Sequence, residues 1–343
     1  MYMKQRAVVE EFKINKVYNK NSIDIVITPH AEFTGCMAAM IQSIVDNSNG
    51  EYNYDIVVLH KEIDTEDIEC IKNIPQQKEN ITIRFYDVST IISTIKFFKT
   101  ENAYATTYFR ILIPYIMSEY DRVLYIDADT IVESDLVELY QQNIEEYCLA
   151  AVADYGGNYH CLEKDSELLK HRKEILNMKD PLKYFNAGIL LMNTQNIRKN
   201  YGMEELLCAE NKGKFKQKDQ DLLNYFFAEK TLFLDYKYNM LVTINFEKNQ
   251  YFNQDEKERI RKAFENPYII HYVGRYKPWI YRSVPYSDEF WKYAEKTPLI
   301  QRIELEMGYD LAYENLRKQI QRNKVGIKQV LKLVAESIKV KFK

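Results

Sequence analysis

The sequence predicts an α/β fold built on a mostly parallel, doubly wound sheet with helices on both faces. Short apolar runs alternate with amphipathic stretches near the start of the chain, in the order strand, helix, strand, helix, strand. That order requires crossover connections, which cover both faces of a parallel sheet. Two later apolar runs end in acidic residues, as expected where ligands bind at the carboxyl ends of the strands.

The periodicity of the apolar residues gives the individual elements. The predicted strands are Ile23–Thr28, Tyr54–Leu59, Ile81–Phe85, Val123–Ile126, Cys148–Ala153, Tyr184–Asn193 and Pro267–Tyr272. The predicted helices are Phe33–Val45, Ile63–Ile74, Thr106–Met117 and Leu136–Tyr140, with another that opens at Gln217. Residues 162–180 are strongly charged and are expected to form a helical surface lobe.

Length and composition limit the classes of protein. The chain has 343 residues and a hydrophobic content of 46%, which favours a folded chain with a substantial core, and its net charge of −3 argues against nucleic acid as a partner. No apolar run is long enough to cross a membrane, and the polar start is unlike a signal peptide. We expect cytoplasmic thiols, because the cysteines are odd in number and widely spaced: Cys36, Cys70, Cys148, Cys161 and Cys208.

Three regions are expected along the chain. Residues 1–22 form a polar lead-in, residues 23–285 a catalytic domain, and residues 286–343 a helical C-terminal region. The last part, from Tyr313, is rich in lysine and carries apolar residues at helical spacing. A basic amphipathic helix of this kind can lie on an anionic membrane surface. Packing against the domain with a solvated basic face is the alternative.

The strand Val123–Ile126 delivers the most informative residues, Asp127 and Asp129, on either side of Ala128. Carboxylates at the end of a buried strand need partners, and a hard divalent cation with oxygen ligands supplies one partner for both. A solvated turn with two surface aspartates is the alternative, since Asp-x-Asp is common by chance.

Later residues strengthen the metal hypothesis. His271 ends a strand, and Gly274 and Lys277 follow, a combination suited to a metal-bound diphosphate. A structural histidine is the alternative interpretation. Asp154 also ends a strand and could face the same cleft, and Asn186 stands beside a small Ala-Gly pair inside an apolar strand.

Arg110 is the one charged residue within an apolar helical pattern. It either reaches water or an ion pair, or it faces the metal or phosphate site. The pattern alone does not decide between these two possibilities.

Four stretches, taken together and in order, resemble glycosyltransferase family 8, in particular bacterial galactosyl- and glucosyltransferases that build lipopolysaccharide and other surface glycans. They are Val123–Asp129, Phe185–Leu190, Asp219–Asn224 and His271–Trp279. The resemblance implies a GT-A fold with a Rossmann-like sheet, Mn²⁺ (or Mg²⁺), a UDP-hexose donor, a glycan or glycolipid acceptor and retention of anomeric configuration. The basic C-terminal helix is similar to the tail that places such enzymes at the inner face of the cell membrane.

The resemblance also implies roles for individual residues. The metal ligands would be Asp127, Asp129 and His271. The sugar-nucleotide would be bound by Thr28, His30, Phe33, Arg110, Asp127, Ala128, Gly274 and Lys277. Residues acting at the reacting sugars would be Asn186, Asp219 and Gln220 around the donor and Asp154 facing the acceptor.

One position departs from the family pattern. His30 stands where the family often has an aspartate that accepts the uracil N3–H, while Phe33 can still stack on the base. A neutral imidazole accepts this bond in one tautomer only, so Glu32 or a backbone carbonyl is the alternative acceptor.

Retention requires a protein nucleophile or attack from the leaving-group face. Gln220 is a poor nucleophile, so we expect front-face attack, with Asp219 orienting a donor hydroxyl. Three other functions share parts of this pattern: a catalytically silent sugar-nucleotide-binding protein, a metal-dependent nucleotidyltransferase or phosphohydrolase, and a glycogenin-like self-glucosylating enzyme.

Overall fold

The computed structural model describes residues 8–9, 11–76, 78–94, 105–208, 215–242, 252–305 and 307–308. Its main feature is a seven-stranded sheet, with a three-stranded sheet beside it. The strands are β1 Ser22–Ile27, β2 Asn53–His60, β3 Ile81–Asp87, β4 Val123–Ile126, β5 Thr130–Val132, β6 Leu149–Ala153, β7 Phe185–Met192, β8 Thr231–Phe233, β9 Met240–Leu241 and β10 Ile269–His271.

The α-helices in chain order begin with α1 Thr34–Asn47, α2 Thr65–Lys72, α3 Ser89–Thr94, α4 Ile113–Ile116, α5 Val137–Tyr140 and α6 Tyr155–Cys161. They continue with α7 Glu167–Glu174, α8 Thr194–Asn200, α9 Met203–Cys208, α10 Lys218–Phe227, α11 Gln254–Glu265 and α12 Ser287–Ala294. Short 3₁₀ helices cover Ala31–Phe33, Ala105–Ile111, Ala228–Lys230 and Tyr236–Asn239.

The large sheet has the order β3-β2-β1-β4-β7-β6-β8. β1, β2, β3 and β4 are parallel, and β7 runs antiparallel to both of its neighbours. β8 pairs parallel with β6. The mostly parallel sheet predicted from the sequence is therefore confirmed, with one reversed strand in the middle that the alternating pattern did not predict.

Apolar side chains cover both faces of the large sheet. Along β1, Ile25 belongs to the core shared with α1, whereas Val26 belongs to the core on the opposite face. A strand buried on both sides needs apolar residues at successive positions. That requirement explains the apolar runs Ile25–Ile27 in β1 and Val123–Ile126 in β4.

The helix predicted over Thr106–Met117 is wrong as a single α-helix. The chain forms a 3₁₀ helix over Ala105–Ile111 and then the short helix α4, with Pro114 in its first turn. Proline lacks an N–H, and its ring clashes with the carbonyl four residues earlier, which here belongs to Arg110. A continuous α-helix through this segment is therefore excluded.

The three-stranded sheet has the order β5-β10-β9. β10 pairs antiparallel with β5, with His271 opposite Thr130, and parallel with β9. This pairing brings the end of β10 beside the turn that joins β4 to β5. The strand predicted over Pro267–Tyr272 thus forms, but in this second sheet.

Part of the C-terminal region packs on the catalytic core. In α12, Phe290, Trp291 and Tyr293 are buried with residues of α1, and Asn47 Nδ2 lies 2.9 Å from the Tyr293 hydroxyl. The domain boundary at residue 285 stays a prediction. The basic segment from Tyr313 onward lies outside the described residues. Within the described part of the chain, no helix combines the length and apolarity needed to span a bilayer.

Candidate active site

Asp127, Asp129 and His271 form a compact cluster at the carboxyl end of β4. One ligand atom from each residue lies within 4.8 Å of the others. His271 Nε2 is 3.3 Å from Asp129 Oδ1 and 4.0 Å from Asp127 Oδ2. The pairing of β10 with β5 produces this convergence. Two carboxylates and an imidazole nitrogen with a shared focus can bind a divalent cation.

Backbone hydrogen bonds hold the aspartate turn in place. The Asp127 N–H donates to the Gly188 carbonyl at 2.8 Å, and the Tyr272 N–H donates to the Asp129 carbonyl at 3.0 Å. The turn is therefore tied to β7 on one side and to the residue after β10 on the other. Fixed backbone positions limit the freedom of both carboxylates, as metal ligands require.

The other ring nitrogen of His271 is also engaged. Nδ1 lies 2.8 Å from Oδ1 of Asn239, the last residue of the 3₁₀ helix Tyr236–Asn239. Asn239 Nδ2 donates to Asn186 Oδ1 at 2.9 Å, and the same oxygen accepts the Gly188 N–H at 2.9 Å. Asn186 therefore uses its oxygen within the protein, and its amide nitrogen is the end still suited to a ligand.

Gly188 is required by this packing. A Cβ at this position would lie 2.2 Å from Cε1 and 2.7 Å from Nδ1 of His271. A glycine inside a strand predicts that another group approaches the backbone closely, and here that group is the imidazole ring of His271.

Lys277 contacts one of the two aspartates. Its Nζ lies 2.5 Å from Asp129 Oδ2 and also donates to the Tyr272 carbonyl. Burial raises the pKa of Asp129, but the charges of Lys277 and His271 outweigh it and hold this pKa well below its usual range. These neighbours therefore favour the ionised form of Asp129. Gly274, with a φ of +72°, lies in the exposed turn between His271 and Lys277, a conformation that favours glycine.

Arg110 is buried and forms ion pairs, as one of its two interpretations predicted, and its partners are aspartates of the candidate site. Its role toward metal or phosphate stays a prediction. Its Nη2 lies 3.1 Å from Asp127 Oδ1, and its Nε lies 2.9 Å from Asp219 Oδ2. Nη1 donates to the Ala187 carbonyl, and the guanidinium stands 4.4 Å from the ring centroid of Tyr125. One cation thus connects the β4 turn, β7 and the start of α10.

The first turn of α10 brings Asp219 and Gln220 to the same edge. Burial raises the pKa of Asp219 to about 6, since desolvation and the nearby Asp127 charge outweigh the attraction of Arg110. Gln220 accepts the Ala187 N–H at 2.9 Å and donates to Asp154 Oδ2 at 3.2 Å. Asp154 also accepts the Gly157 N–H at 3.0 Å, as the N-cap of α6.

Thr28 lies at the end of β1, beside the same network. Its hydroxyl is 3.0 Å from that of Tyr125, which donates to Asp127 Oδ1 at 2.6 Å. Phe33 stands edge-to-face with Trp279, with centroids 6.1 Å apart, and is half-buried. His30 Nδ1 lies 3.5 Å from Glu32 Oε1. The structure therefore places these predicted nucleotide-binding residues at or just after the carboxyl end of β1.

Sequence reasoning missed three residues that support the site. Asn239 contacts His271 and Tyr125 contacts Asp127, two of the candidate metal ligands. Asp221 supports the first turn of α10. Asp221 is fully buried and is bonded by His171 Nε2 and by the Tyr184 hydroxyl, each at 2.7 Å. Of these three residues, only Asp221 is indicated by the sequence, because it is a second acidic residue in the first turn of a predicted helix. Asn239 is not indicated, because its segment has no clear periodicity.

The fold and this cluster define a class, the GT-A type glycosyltransferases. A structure described as the WbbM bifunctional glycosyltransferase matches 86% of this chain and 53% of its own, with a TM-score of 0.79 and 27% identity. The galactosyltransferase LgtC, solved with donor and acceptor sugar analogs, matches 80% of this chain and 96% of its own, with a TM-score of 0.64. At 21% identity, the likeness to LgtC concerns the fold alone.

The family model described as glycosyl transferase family 8 matches residues 24–283, and the chain belongs to this family. Glycosyltransferase GlyA of Streptococcus pneumoniae is 29% identical over 66% of this chain, which spans 28% of GlyA. The lipopolysaccharide 1,3-galactosyltransferase of Salmonella typhimurium is 32% identical over 58% of this chain and 57% of its own length. A lipopolysaccharide 1,2-glucosyltransferase of Escherichia coli is 25% identical over 80% of this chain and 79% of its own length.

Proposed function

We propose that this protein transfers a hexose, glucose or galactose, from a UDP-sugar to a cell-surface glycan or glycolipid, with retention and with Mn²⁺. The convergence of Asp127, Asp129 and His271 at the ligand edge of a family 8 fold carries the proposal. The relatives named as lipopolysaccharide galactosyl- and glucosyltransferases support the hexose and the acceptor class.

The donor set fits a divalent cation. Carboxylate oxygens suit Mn²⁺ and Mg²⁺, and the imidazole nitrogen favours Mn²⁺ of these two. The Asn239 oxygen beside Nδ1 leaves Nε2 of His271 directed at both aspartates. When bound, the ion would neutralise negative charge on the leaving diphosphate.

The protein's own cations act on the same charge. Lys277, next to Asp129, is in place to donate to diphosphate oxygens, which adds positive charge where the leaving group gains negative charge. The turn at Gly274 offers backbone N–H groups on the same side. Arg110 holds Asp127 and Asp219 in a fixed relation, so the diphosphate end and the sugar end of the donor are aligned.

The residues at the sugar favour front-face attack. Both ends of the Gln220 amide are held by the protein, and Asp219 is paired with Arg110, so neither is an available nucleophile. The acceptor hydroxyl attacks the anomeric carbon from the leaving-group side as the bond to the diphosphate breaks, and its proton passes to the departing phosphate oxygen. Asp219 accepts a hydrogen bond from a donor hydroxyl, and Asp154 faces the acceptor.

Product analysis tests this proposal. The protein is incubated with UDP-glucose or UDP-galactose and membrane glycolipid extract, with Mn²⁺, Mg²⁺ or a chelator, and products are identified by mass spectrometry. We expect UDP release and a glycolipid heavier by one hexose with Mn²⁺ only or best. A mass increase of the protein itself would indicate self-glucosylation, and donor binding without UDP release would indicate a silent binding protein.

Asp129→Asn tests the metal assignment. The variant removes one ligand charge, so we expect transfer to fall at least about a hundredfold, with weaker Mn²⁺ binding. Asp121→Asn, at an exposed position just before β4, is the matched control and is expected to stay fully active. Full activity of Asp129→Asn would contradict the metal assignment.

We also propose a cytoplasmic location at the inner face of the cell membrane. The lysine-rich amphipathic segment beyond Tyr313 supports it, because such helices bind anionic lipid surfaces. A glycolipid acceptor would be presented at the same surface.

A further inference from the structure

A chain of hydrogen bonds connects a backbone amide to the metal-facing side of His271. It begins at the Gly188 N–H, passes through the side chains of Asn186 and Asn239, and ends at Nδ1 of the imidazole. The links are 2.9, 2.9 and 2.8 Å long. Asn239 is fully buried, and Asn186 and His271 are nearly so, so water does not substitute for any link.

The direction of every bond in this chain is determined by its first member. A backbone N–H can only donate, so the Asn186 atom that receives it is the oxygen. The Asn239 atom facing that oxygen must then be the amide nitrogen, which turns the Asn239 oxygen toward His271. An oxygen acceptor requires a proton on Nδ1, which leaves the lone pair of a neutral ring on Nε2. Nε2 is the nitrogen that faces Asp127 and Asp129.

The packing leaves the ring no other position. Gly188 lies against the imidazole so closely that a methyl group would overlap Cε1. The Gly188 carbonyl at the same time accepts the Asp127 N–H. Gly188 therefore positions Asp127 through its carbonyl oxygen. Through its N–H, it begins the chain of hydrogen bonds that orients His271.

We propose that Asn239 is a positioning residue that fixes the tautomer and the orientation of His271 for metal binding, and that Asn186 supports it. Partners of this kind on the far side of a ligand histidine raise metal affinity, and their loss typically lowers it about tenfold to a hundredfold. The inference rests on the proposed metal-dependent transfer, but the tautomer is a property of the protein without metal or substrate. The predicted tautomer and the proposed transfer activity can therefore be contradicted independently of each other.

The tautomer is measured directly by NMR of the metal-free protein with ¹⁵N-labelled histidine, in mildly alkaline buffer. The chain has five histidines, and the signal of His271 is assigned by its absence from His271→Gln. We expect the pattern of a ring protonated at Nδ1. A ring protonated at Nε2 but not at Nδ1 overturns the proposal, whether or not the enzyme transfers sugar.

Two substitutions of Asn239 test the consequence for metal binding. Asn239→Asp keeps an oxygen acceptor for Nδ1–H but loses the N–H that donates to Asn186 Oδ1, and Asn239→Leu removes both groups at similar volume. Manganese EPR titration is expected to show an affinity about tenfold to a hundredfold lower for Asn239→Leu than for Asn239→Asp. Equal affinities for the two variants overturn the proposal.

Asn224→Leu is the matched control, because Asn224 is also buried and bonded through both ends of its amide, but to Phe185 and Gln220. Its Mn²⁺ affinity should equal that of the wild type, although its stability falls. A loss as large as that of Asn239→Leu would mean that general destabilisation lowers the affinity, which overturns the positioning role. If Asn239→Leu does not fold, the wild-type tautomer and Asn239→Asp decide the question.

Discussion

Arg110 joins Asp127 to Asp219, with Nη2 3.1 Å from the first carboxylate and Nε 2.9 Å from the second. The two aspartates belong to different elements, the turn after β4 and the first turn of α10. Because the guanidinium is buried, it balances two charges that water does not solvate well. The relative position of the turn after β4 and the start of α10 is thus held by one side chain.

Removing this cation is expected to destabilise the protein strongly. Arg110→Gln leaves the buried carboxylate of Asp219 and the partly exposed one of Asp127 uncompensated, so the free energy of unfolding should fall by about 3–5 kcal/mol. Urea unfolding followed by circular dichroism measures the change. Arg259→Gln, which removes a half-exposed partner of Glu256, is the control and should cost less than about 1 kcal/mol. Equal effects of the two substitutions would contradict the role given to Arg110.

The raised pKa of Asp219 predicts a specific pH dependence. With a pKa of about 6 in the folded protein, Asp219 binds its proton more tightly than in the unfolded chain. Its contribution to stability is therefore full below about pH 4 and is lost as the pH rises through about 6. The unfolding free energy of the wild type, relative to Asp219→Asn, should fall by about 3 kcal/mol over this interval.

Transfer should have the opposite dependence, since the role proposed for Asp219 requires an ionised carboxylate that accepts a hydrogen bond from a donor hydroxyl. We expect kcat to decline in acid as Asp219 takes up its proton near pH 6. Unfolding curves and initial rates across the range check both trends. A stability difference from Asp219→Asn that is independent of pH would contradict this account.

Lys277→Gln is expected to separate donor binding from metal binding. The lysine competes with a cation for Asp129, so its removal should leave Mn²⁺ affinity unchanged or higher in the absence of nucleotide. The loss of its charge should raise KM for the UDP-sugar at least about tenfold, since an ionised donor to phosphate is lost. Calorimetric titration with Mn²⁺ and steady-state kinetics measure the two effects.

Arg275→Gln removes an exposed cation from the same turn, whose guanidinium donates to the Tyr276 hydroxyl, and is the matched control. Its KM should change little. If Lys277→Gln weakened Mn²⁺ binding and left KM unaltered, the assignment to the diphosphate would be wrong.

Gly188→Ala tests the packing of the imidazole. The added methyl would stand 2.2 Å from Cε1 of His271, so the ring or β7 must move. We expect a cost of about 1–3 kcal/mol in stability, together with loss of Mn²⁺ affinity. Gly202→Ala is the control, because nothing lies within 4 Å of its added methyl. Wild-type metal affinity in Gly188→Ala would show that the ring position is not critical.

The basic C-terminal segment predicts binding to anionic lipid. Replacing Lys328, Lys332 and Lys339 by glutamine should lower binding to vesicles that contain phosphatidylglycerol at least about tenfold, since each charge near the surface contributes about 1 kcal/mol. Vesicle sedimentation measures the effect, with neutral vesicles as the control. Equal binding of wild type and variant would refute the membrane role of these lysines.

The sequence was sufficient for the fold class and for the three candidate ligands. Alternating apolar runs follow directly from strands buried on both faces. Asp127 and Asp129 lie in the turn that follows β4, and His271 ends β10. Their proximity is confirmed by the structure, whereas their roles toward metal and sugar stay predictions.

The remaining features depend on contacts between distant segments. The reversal of β7, the second sheet and the bond from Asn239 to His271 arise from tertiary pairing, which leaves no local period in the sequence. Arg110 was ambiguous for the same reason, because its partners Asp127 and Asp219 come from separate parts of the chain. The break at Pro114 is different, because a proline is a local signal in the sequence that itself disfavours a continuous helix.

The direction of β7 has a consequence for how such proteins can diversify. β6 ends and β7 begins at the same place in the sheet, where Ala153 pairs with Phe185 and the Asp154 N–H donates to the Tyr184 carbonyl. Residues 154–184 therefore leave the sheet and return to it at one point, where the two chain ends are paired, on the same edge as the candidate site. A segment that leaves and re-enters the sheet at one point can be lengthened while the strands beneath it keep their register. Its contacts from Asp154 to Gln220 and from His171 and Tyr184 to Asp221 must be kept.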